Sequence, residues 1–304
     1  MASPISRPAF AALNAPDIFN VIIETGRERP PEYTQVCNIS TMPWNPVKNQ
    51  QLSGIGSMPD KPEGTRFTTT SPVLGTSKEH LAEPRGLALE FTWEGWRDEL
   101  YETHRMQARE LARSSRHRLE VDGWNWANDA FAGATFTTFD GLSLCNAAHT
   151  SLGPGVGTQA NRPSPDQSFG ITYIQGMVQR YHRQKNEMGL PSMMAAVLHV
   201  IDVFNLMTAR EVLGSSGVPY SGDNEVNAII EEGLRYMVTH YLNVQTYHFA
   251  VAAKGVHDIQ LGVRDAPMFN SFDDPYTMNA VFTGYQRNTL SYADSYRGVD
   301  GSTG

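Results

Sequence analysis

Cysteine is scarce in this chain: Cys37 and Cys145 are the only two among 304 residues. Two cysteines cannot build a disulfide framework, and they read as buried or inert thiols in a reducing compartment. Long apolar runs are missing as well. The most apolar stretch, Met193 to Phe204, holds His199 and Asp202 and falls far short of a membrane span. The start, Met1 to Pro8, has no apolar h-region, so no secretory signal is expected and the protein should be soluble and cytoplasmic when made. Positive charge is in deficit, with 24 Lys and Arg against 32 Asp and Glu, a net charge of -8 and a pI of about 5.6. That balance argues against a free nucleic-acid binder but leaves room for a local basic patch. The nine histidines form no close pair of the helical zinc type, and no cysteine pair has zinc-ligand spacing. Asp273-Asp274 and Asp223-Asn224-Glu225 could hold a divalent ion but read better as turn or cap residues. No metal and no cofactor is expected.

What is present is enough for a sizeable core: 40% of residues are hydrophobic, sufficient for one elaborated domain or two subdomains. One stretch stands apart. From Pro43 to about Arg85 the sequence is polar and rich in turn formers, including Met58-Pro59-Asp60-Lys61-Pro62-Glu63-Gly64 and Thr68-Thr69-Thr70-Ser71-Pro72. A segment of this length without regular structure of its own is usually a functional loop, an arm or a linker. An ordered arm that cannot pack on its own body must pack on another, so the chain reads as a building block of an assembly. Residues 1–35 hold one apolar cluster, Ile18 to Ile23, between prolines, which suggests an N-terminal arm with one small helix or strand.

Leu87 to Trp93 alternates apolar and polar residues and predicts a strand. A long helix should follow from Glu94 or Gly95 to Val121, with a continuation toward Phe131. Leu100, His104, Ala108, Leu111, Ser115 and Leu119 form one face. Acids (Glu94, Asp98, Glu99, Glu102) cluster early and arginines late, which suits the helix macrodipole. At about 25 residues it would span roughly 38 Å. Arg105, Arg109, Arg113 and Arg116 fall within about 80° of one another on the helical wheel. This stripe is either a solvated face relieved by Asp98, Glu102 and Glu120, or a surface that meets acidic groups of a neighbouring subunit, or a contact for packaged nucleic acid.

Gly153 to Gly157 opens a second loop, after which Asp166 should cap a helix carrying Phe169, Ile171, Tyr173, Ile174, Met177, Val178 and Tyr181. Met193 to Val203 reads as a buried strand, Leu206 to Leu213 as a short helix stopped at Gly214, and Tyr236 to Ala253, Ile259 to Val263 and Met278 to Ser291 as strands. Strands and helices mix without a βαβ repeat, so the class is α+β. Two fragments hint at catalysis. Gly141-Leu142-Ser143-Leu144-Cys145 begins like a nucleophile elbow but lacks the closing glycine. Cys145 and His149 are four apart, yet the glycines that follow make a helix there doubtful, and a buried Cys with a surface His is the better reading. The loop glycines lack the lysine and the flanking elements of a phosphate loop.

The order of these parts resembles the Hong Kong 97-type major capsid protein of tailed bacteriophages. Several segments carry the likeness: Met58 to Gly64; Leu111-Ala112-Arg113-Ser114-Ser115-Arg116-His117 leading to Glu120-Val121-Asp122; Asp140 to His149; Ala209 to Ser215; Asp223 to Ala228; and the ending Tyr296 to Ser302. The resemblance implies an N-terminal arm (1–42) and an extension loop lying over an adjacent subunit (43–85). It further implies a peripheral domain with a spine helix at about 95–121 (86–165), an axial domain (166–268) and a C-terminal return to the peripheral sheet (269–304). It implies a non-enzymatic virion protein, assembled in the host bacterial cytoplasm into hexamers and pentamers around double-stranded DNA held without sequence specificity. Portal, scaffold or decoration proteins would be its partners, with no membrane and no cofactor. The candidate intersubunit contacts are Lys48, Lys61, Glu63 and Lys78 on the loop and Arg105, Arg109, Arg113 and Arg116 on the helix. The chain has no room for a fused scaffolding region. No sequence context singles out Lys48, Lys61 or Lys78 for a crosslink to a neighbour's asparagine. Two alternatives stay open beside this reading: a hydrolase using Ser143 or Cys145 with His149, and a nucleic-acid-binding protein using the arginine stripe.

Overall fold

The computed structural model describes residues 30–98, 103–153, 156–219 and 225–304. In chain order the strands are β1 (Asn38–Thr41), β2 (Val47–Leu52), β3 (Leu74–His80) and β4 (Glu83–Phe91), followed by helices α1 (Trp93–Arg97), α2 (Thr103–Gly123), α3 (Asn125–Asn128) and α4 (Ile171–Arg183). Then come β5 (Ala196–Asp202), α5 (Leu206–Gly214), β6 (Arg235–Thr239), β7 (His248–Ala252), β8 (Ile259–Asp273), β9 (Ala280–Asn288), β10 (Tyr292–Ala293) and β11 (Val299–Ser302). The first sheet runs β1-β8-β9-β4, with β10 also on β8; the second runs β11-β7-β5-β6; β2 and β3 form a separate two-stranded ribbon. Each larger sheet has one parallel pair, β1 with β8 and β5 with β6, so the α+β class stands.

Three apolar clusters hold the sheets and helices together. Between the sheets lie Trp124, Trp126, Leu144, Phe249, Ile259 and Leu261, with the Trp126 and Phe249 rings 5.2 Å apart in an edge-to-face contact. Under α4, Tyr173, Ile174, Met177 and Tyr181 recur at helical spacing and pack on Ile201, Ala250 and Val212. Burying each such side chain contributes about 1.5–3 kcal/mol. Along α2, Ala108, Leu111 and Ala112 pack on Phe91 and Phe282. That is the helix face expected from the sequence, although Leu100 lies outside the described residues.

Several boundaries differ from the sequence reading, each for a local reason. Within the expected 25-residue helix, Thr92 caps α1 through Gly95 N–H and α1 ends at Arg97, while α2 is described from Thr103. α2 ends at Gly123, which packs so closely on Tyr33 that a Cβ there would lie 2.6 Å from its ring. Asp129 then accepts from the N–H groups of Ala134, Thr135 and Phe136 and turns the chain, so the helix does not reach Phe131. Asp166 is not the cap of α4; Gly170 holds that position, while Asp166 takes a two-pronged contact from Arg162 at 2.7 and 2.5 Å and a hydrogen bond from Thr303. Tyr236 to Ala253 is two strands in different places of one sheet, parted by a turn. β8 runs through 268/269; of the strands after it, β9 and β10 lie in the first sheet and β11 joins β7 of the second. Buried Asp300 on β11 explains that placement: it accepts from Arg180 at 2.6 and 2.8 Å and from Tyr173 at 3.0 Å, stitching the chain end beneath α4. Burial outweighs those partners and pushes its carboxyl up to about 6. The cluster Ile18 to Ile23 lies outside the described residues.

Candidate assembly interface

The stretch expected to lack regular structure contains the ribbon. Val47 pairs with His80, Lys48 with Glu79, Asn49 with Lys78 and Gln50 with Ser77. Side chains alternate across a strand, so the two faces of this ladder differ. One face meets the protein's own body. Asn49 donates to Asp294 (2.6 Å), Gln51 to Glu187 (3.1 Å) and Lys78 to Thr137 (2.7 Å). His80 bonds to the other Asp294 oxygen (2.8 Å) and stacks on Tyr292 with ring centroids 3.3 Å apart. On the other face Lys48 and Glu79 pair at 2.5 Å, both more than half exposed. The expectation that the whole arm finds no partner on its own body is therefore corrected. Its base is anchored, because β2 and β3 place four polar side chains on buried or half-buried acceptors.

Beyond Ser53 and Val73, which close the ladder by reciprocal bonds, the tip is open. Residues 57–73 are all exposed, among them Met58 (94%) and Phe67 (81%), with Ile55 at 67% just before them. A turn at Pro62 to Thr65, with Gly64 at φ +75°, reverses the chain. Lys61 sits over the Phe67 ring at 4.9 Å, and Glu63 faces solvent. Burying Ile55, Met58 and Phe67 on a neighbour would contribute about 1.5–3 kcal/mol each before the cost of ordering.

On α2, Arg109 and Arg113 are exposed, and Arg113 donates to Glu110 at 2.6 Å. Arg116 is half-buried beside Tyr33, whose hydroxyl is pushed up to about 12, chiefly by burial. The Arg105 side chain and Glu102 lie outside the described residues. Glu120 is buried and accepts from the N–H groups of Glu32 (2.7 Å) and Tyr33 (3.1 Å), tying the start of the described chain to the helix. Burial raises its carboxyl, with those two bonds pulling the other way.

The catalytic fragments do not converge on a reactive centre. Ser143 donates to the Cys145 carbonyl (3.3 Å), and Cys145 is fully buried, its thiol pushed well up by burial. His149 is not a surface residue: it is fully buried, bonded to Asp140 (2.8 Å) and the Leu144 carbonyl (3.1 Å), and stacked on Tyr296. With both ring nitrogens engaged it has none left to act as a base. Burial works to raise Asp140, but its bonds from His149 and Thr138 prevail and hold it down to about 2. Among the described residues no three His, Cys, Asp or Glu groups sit together as metal ligands, and no helix is long and apolar enough to cross a membrane. Asp274 caps its own turn through Tyr276 and Thr277; Asp223 and Asn224 lie outside the described residues. The anchor on Asp294 was invisible in sequence, since Asn49, His80, Tyr292 and Asp294 are isolated residues that only the fold brings together.

No protein-family model and no curated protein matches the sequence. Solved structures do. The chain is similar to the capsid structure of the cyanophage P-SCSP1u, with TM-score 0.59 and 9% identity over 90% of this chain and 88% of that one. The chain has the Hong Kong 97-type capsid fold. A protein of Microbacterium phage Oxtober96 aligns with TM-score 0.55 and 11% identity over 90% and 91% of the two chains. The virus-like particle from Pyrococcus furiosus aligns with TM-score 0.52 and 6% identity over 94% and 97%.

Proposed function

We propose that this protein is a major capsid protein, the structural subunit that self-assembles into hexamers and pentamers of an icosahedral phage head around double-stranded DNA. The observation that carries the reading is the ribbon: anchored at its base on Asp294, Glu187 and Thr137, it ends in a tip whose large apolar side chains have no cover in the monomer. In this reading the first sheet and α2 form the peripheral part and the second sheet with α4 and α5 the axial part. Residues 1–42 act as an arm, and 43–85 extend over a neighbour. Lys48, Lys61, Glu63 and Lys78 on the ribbon and Arg105, Arg109, Arg113 and Arg116 on the helix make intersubunit contacts. Many small interlocking contacts give a shell avidity and kinetic stability without one large interface. The role is structural rather than catalytic, and assembly takes place in the host bacterial cytoplasm. The packaged DNA is held without sequence specificity, and portal, scaffold and decoration proteins are the further partners.

The test is deletion of residues 55–72 with a short Gly-Ser closure. The shortened chain should keep the circular dichroism of the parent yet fail to form closed particles in negative stain. Closed shells of parental size from the deletion variant would refute the role given to the tip.

A further inference from the structure

Positive charge gathers where α4 ends. Arg180, His182 and Arg183 lie in its last turn, and Lys185 follows. Between this end and the loop 156–160 is a pocket of about 260 Å³. Arg180, Arg183, Gln184 and Lys185 line it on one side, Val156 and Thr158 on the other, and no carboxylate of the described residues does. The loop is tied to the helix end by Gln159, whose Oε1 accepts from Lys185 N–H at 2.7 Å. Arg180 is already neutralised, its Nε and Nη2 held by buried Asp300 at 2.6 and 2.8 Å. Arg183 and Lys185 are exposed and form no ion pair among the described residues. The pocket thus presents two uncompensated cations in a chain whose net charge is -8.

Cations in a last turn answer the negative end of the helix dipole, and that alone would account for Arg183. Gln184 goes beyond it. The residue is 2% exposed, and all of its polar groups but one are engaged. Its N–H donates to the Tyr181 carbonyl, its carbonyl accepts from Ser192 N–H at 2.9 Å, and its Oε1 accepts from Gly298 N–H at 3.2 Å. A backbone N–H can only donate, so Gly298 fixes which way the amide faces and leaves Nε2 as the other end. Nε2 is buried and has no partner. A buried donor without an acceptor is costly and uncommon. This one belongs to a side chain that lines a cationic pocket, and an anion there supplies the acceptor. The donor set favours a tetrahedral oxyanion. Two cations match the charge of a phosphate, and arginine and lysine both bind phosphates. The Gln184 amide and the Thr158 hydroxyl add neutral donors for its further oxygens, whereas a carboxylate brings one charge and two oxygens in a single plane.

We propose that the pocket at the end of α4 binds a phosphoryl group, with Arg183 and Lys185 meeting its charge and Gln184 Nε2 donating to one of its oxygens. All of these residues come from one copy, so the site stands independently of the shell reading. The experiment is isothermal titration of the full chain at fixed ionic strength, with inorganic phosphate in one arm and a short oligothymidylate, a phosphodiester, in the other. At least one arm should show a single saturable site per chain. Arg183→Gln with Lys185→Gln should weaken it about tenfold or more. Arg210→Gln with Arg235→Gln, which removes the same charge from exposed residues elsewhere, should leave it within about twofold. Gln184→Glu keeps an acceptor for Gly298 N–H but turns the donor into a carboxylate, and should abolish binding. A circular dichroism melt reads its folding, and the exposed pair decides alone if that variant does not fold. A response in the phosphate arm assigns the pocket to the free ion, and one in the oligonucleotide arm alone assigns it to a phosphodiester. No saturable binding in either arm, equal weakening by both double variants, or displacement by acetate as effective as by phosphate would overturn the proposal.

Discussion

Replacing Asp294 with alanine should loosen the ribbon without unfolding the body. The Asp294 carboxylate accepts from Asn49 at 2.6 Å and bonds to His80 at 2.8 Å, and its side chain is 1% exposed. Hydrogen bonds to a charged group contribute about 1.5–3 kcal/mol each, so removing both costs about 3 kcal/mol or more at the anchor. Most of that loss stays local, because the ribbon can lift and rehydrate Asn49 and His80, whereas the apolar clusters under α2, α4 and between the sheets are untouched. About 3 kcal/mol corresponds to about a hundredfold rise in the open population of the ribbon. Native-state hydrogen exchange read by mass spectrometry resolves this. Peptides covering 47–54 and 72–80 should exchange about a hundredfold faster in the variant, with the α4 peptide (171–183) unchanged within a few-fold. Equal acceleration in both regions would mean that Asp294 supports the whole fold, and no change in the ribbon would mean that the anchor is not formed in solution. Either outcome refutes the reasoning.

Reversing Arg109 and Arg113 to Glu should change monomer stability by less than about 1 kcal/mol, because both are exposed and the Arg113–Glu110 pair is a surface pair. Particle yield should nevertheless collapse, as counted in negative stain; equal loss of both would assign the stripe to the monomer alone. Asp300 gives a pH signature. Its folded carboxyl sits at about 6 against an ordinary value of 3.8, so the folded state holds the proton more tightly. The parent should therefore lose stability relative to Asp300→Asn as pH rises from about 4 to about 6, and hold level outside that window. Taking the difference between the two urea-unfolding curves is essential, since burial lowers His199 to about 3 and His248 and His257 to about 4, which drives stability the other way over an overlapping range. A relative gain for the parent with rising pH would contradict the burial argument.

The parts legible in the sequence are those governed by local periodicity. Ala108 and Leu111 at helical spacing marked the inner face of α2, and Tyr173, Ile174, Met177 and Tyr181 marked that of α4. Gly214 marked the end of α5, and the alternation from Leu87 marked β4. What escaped detection depends on contacts across long sequence distance. The β2–β3 pairing joins polar residues such as Lys48 and Glu79, Asn49 and Lys78, which carry no hydrophobic signal, and its support comes from Asp294 and Glu187, more than a hundred residues away. Glu120 looked like one more surface charge on a charged helix; only the approach of Glu32 and Tyr33 makes it a buried acceptor. His149 looked like a surface imidazole because its partner Asp140 lies in the preceding turn, with the wall of the site supplied by Tyr296 from the far end of the chain. The Tyr33 ring lying against Gly123 is likewise a contact between residues ninety apart. The fold as a whole was readable from the order of its parts, since a polar ribbon, a strand, a long helix and two mixed sheets follow one another in a sequence that the likeness to phage capsid chains repeats.

The most direct measurement is a cryo-electron-microscopy map of particles assembled from the purified full-length chain. Closed shells are expected in which each ribbon keeps its base on its own Asp294 while residues 55–72 cross onto the adjacent subunit. A monodisperse monomer, or a shell whose tips lie back on their own subunits, would contradict it.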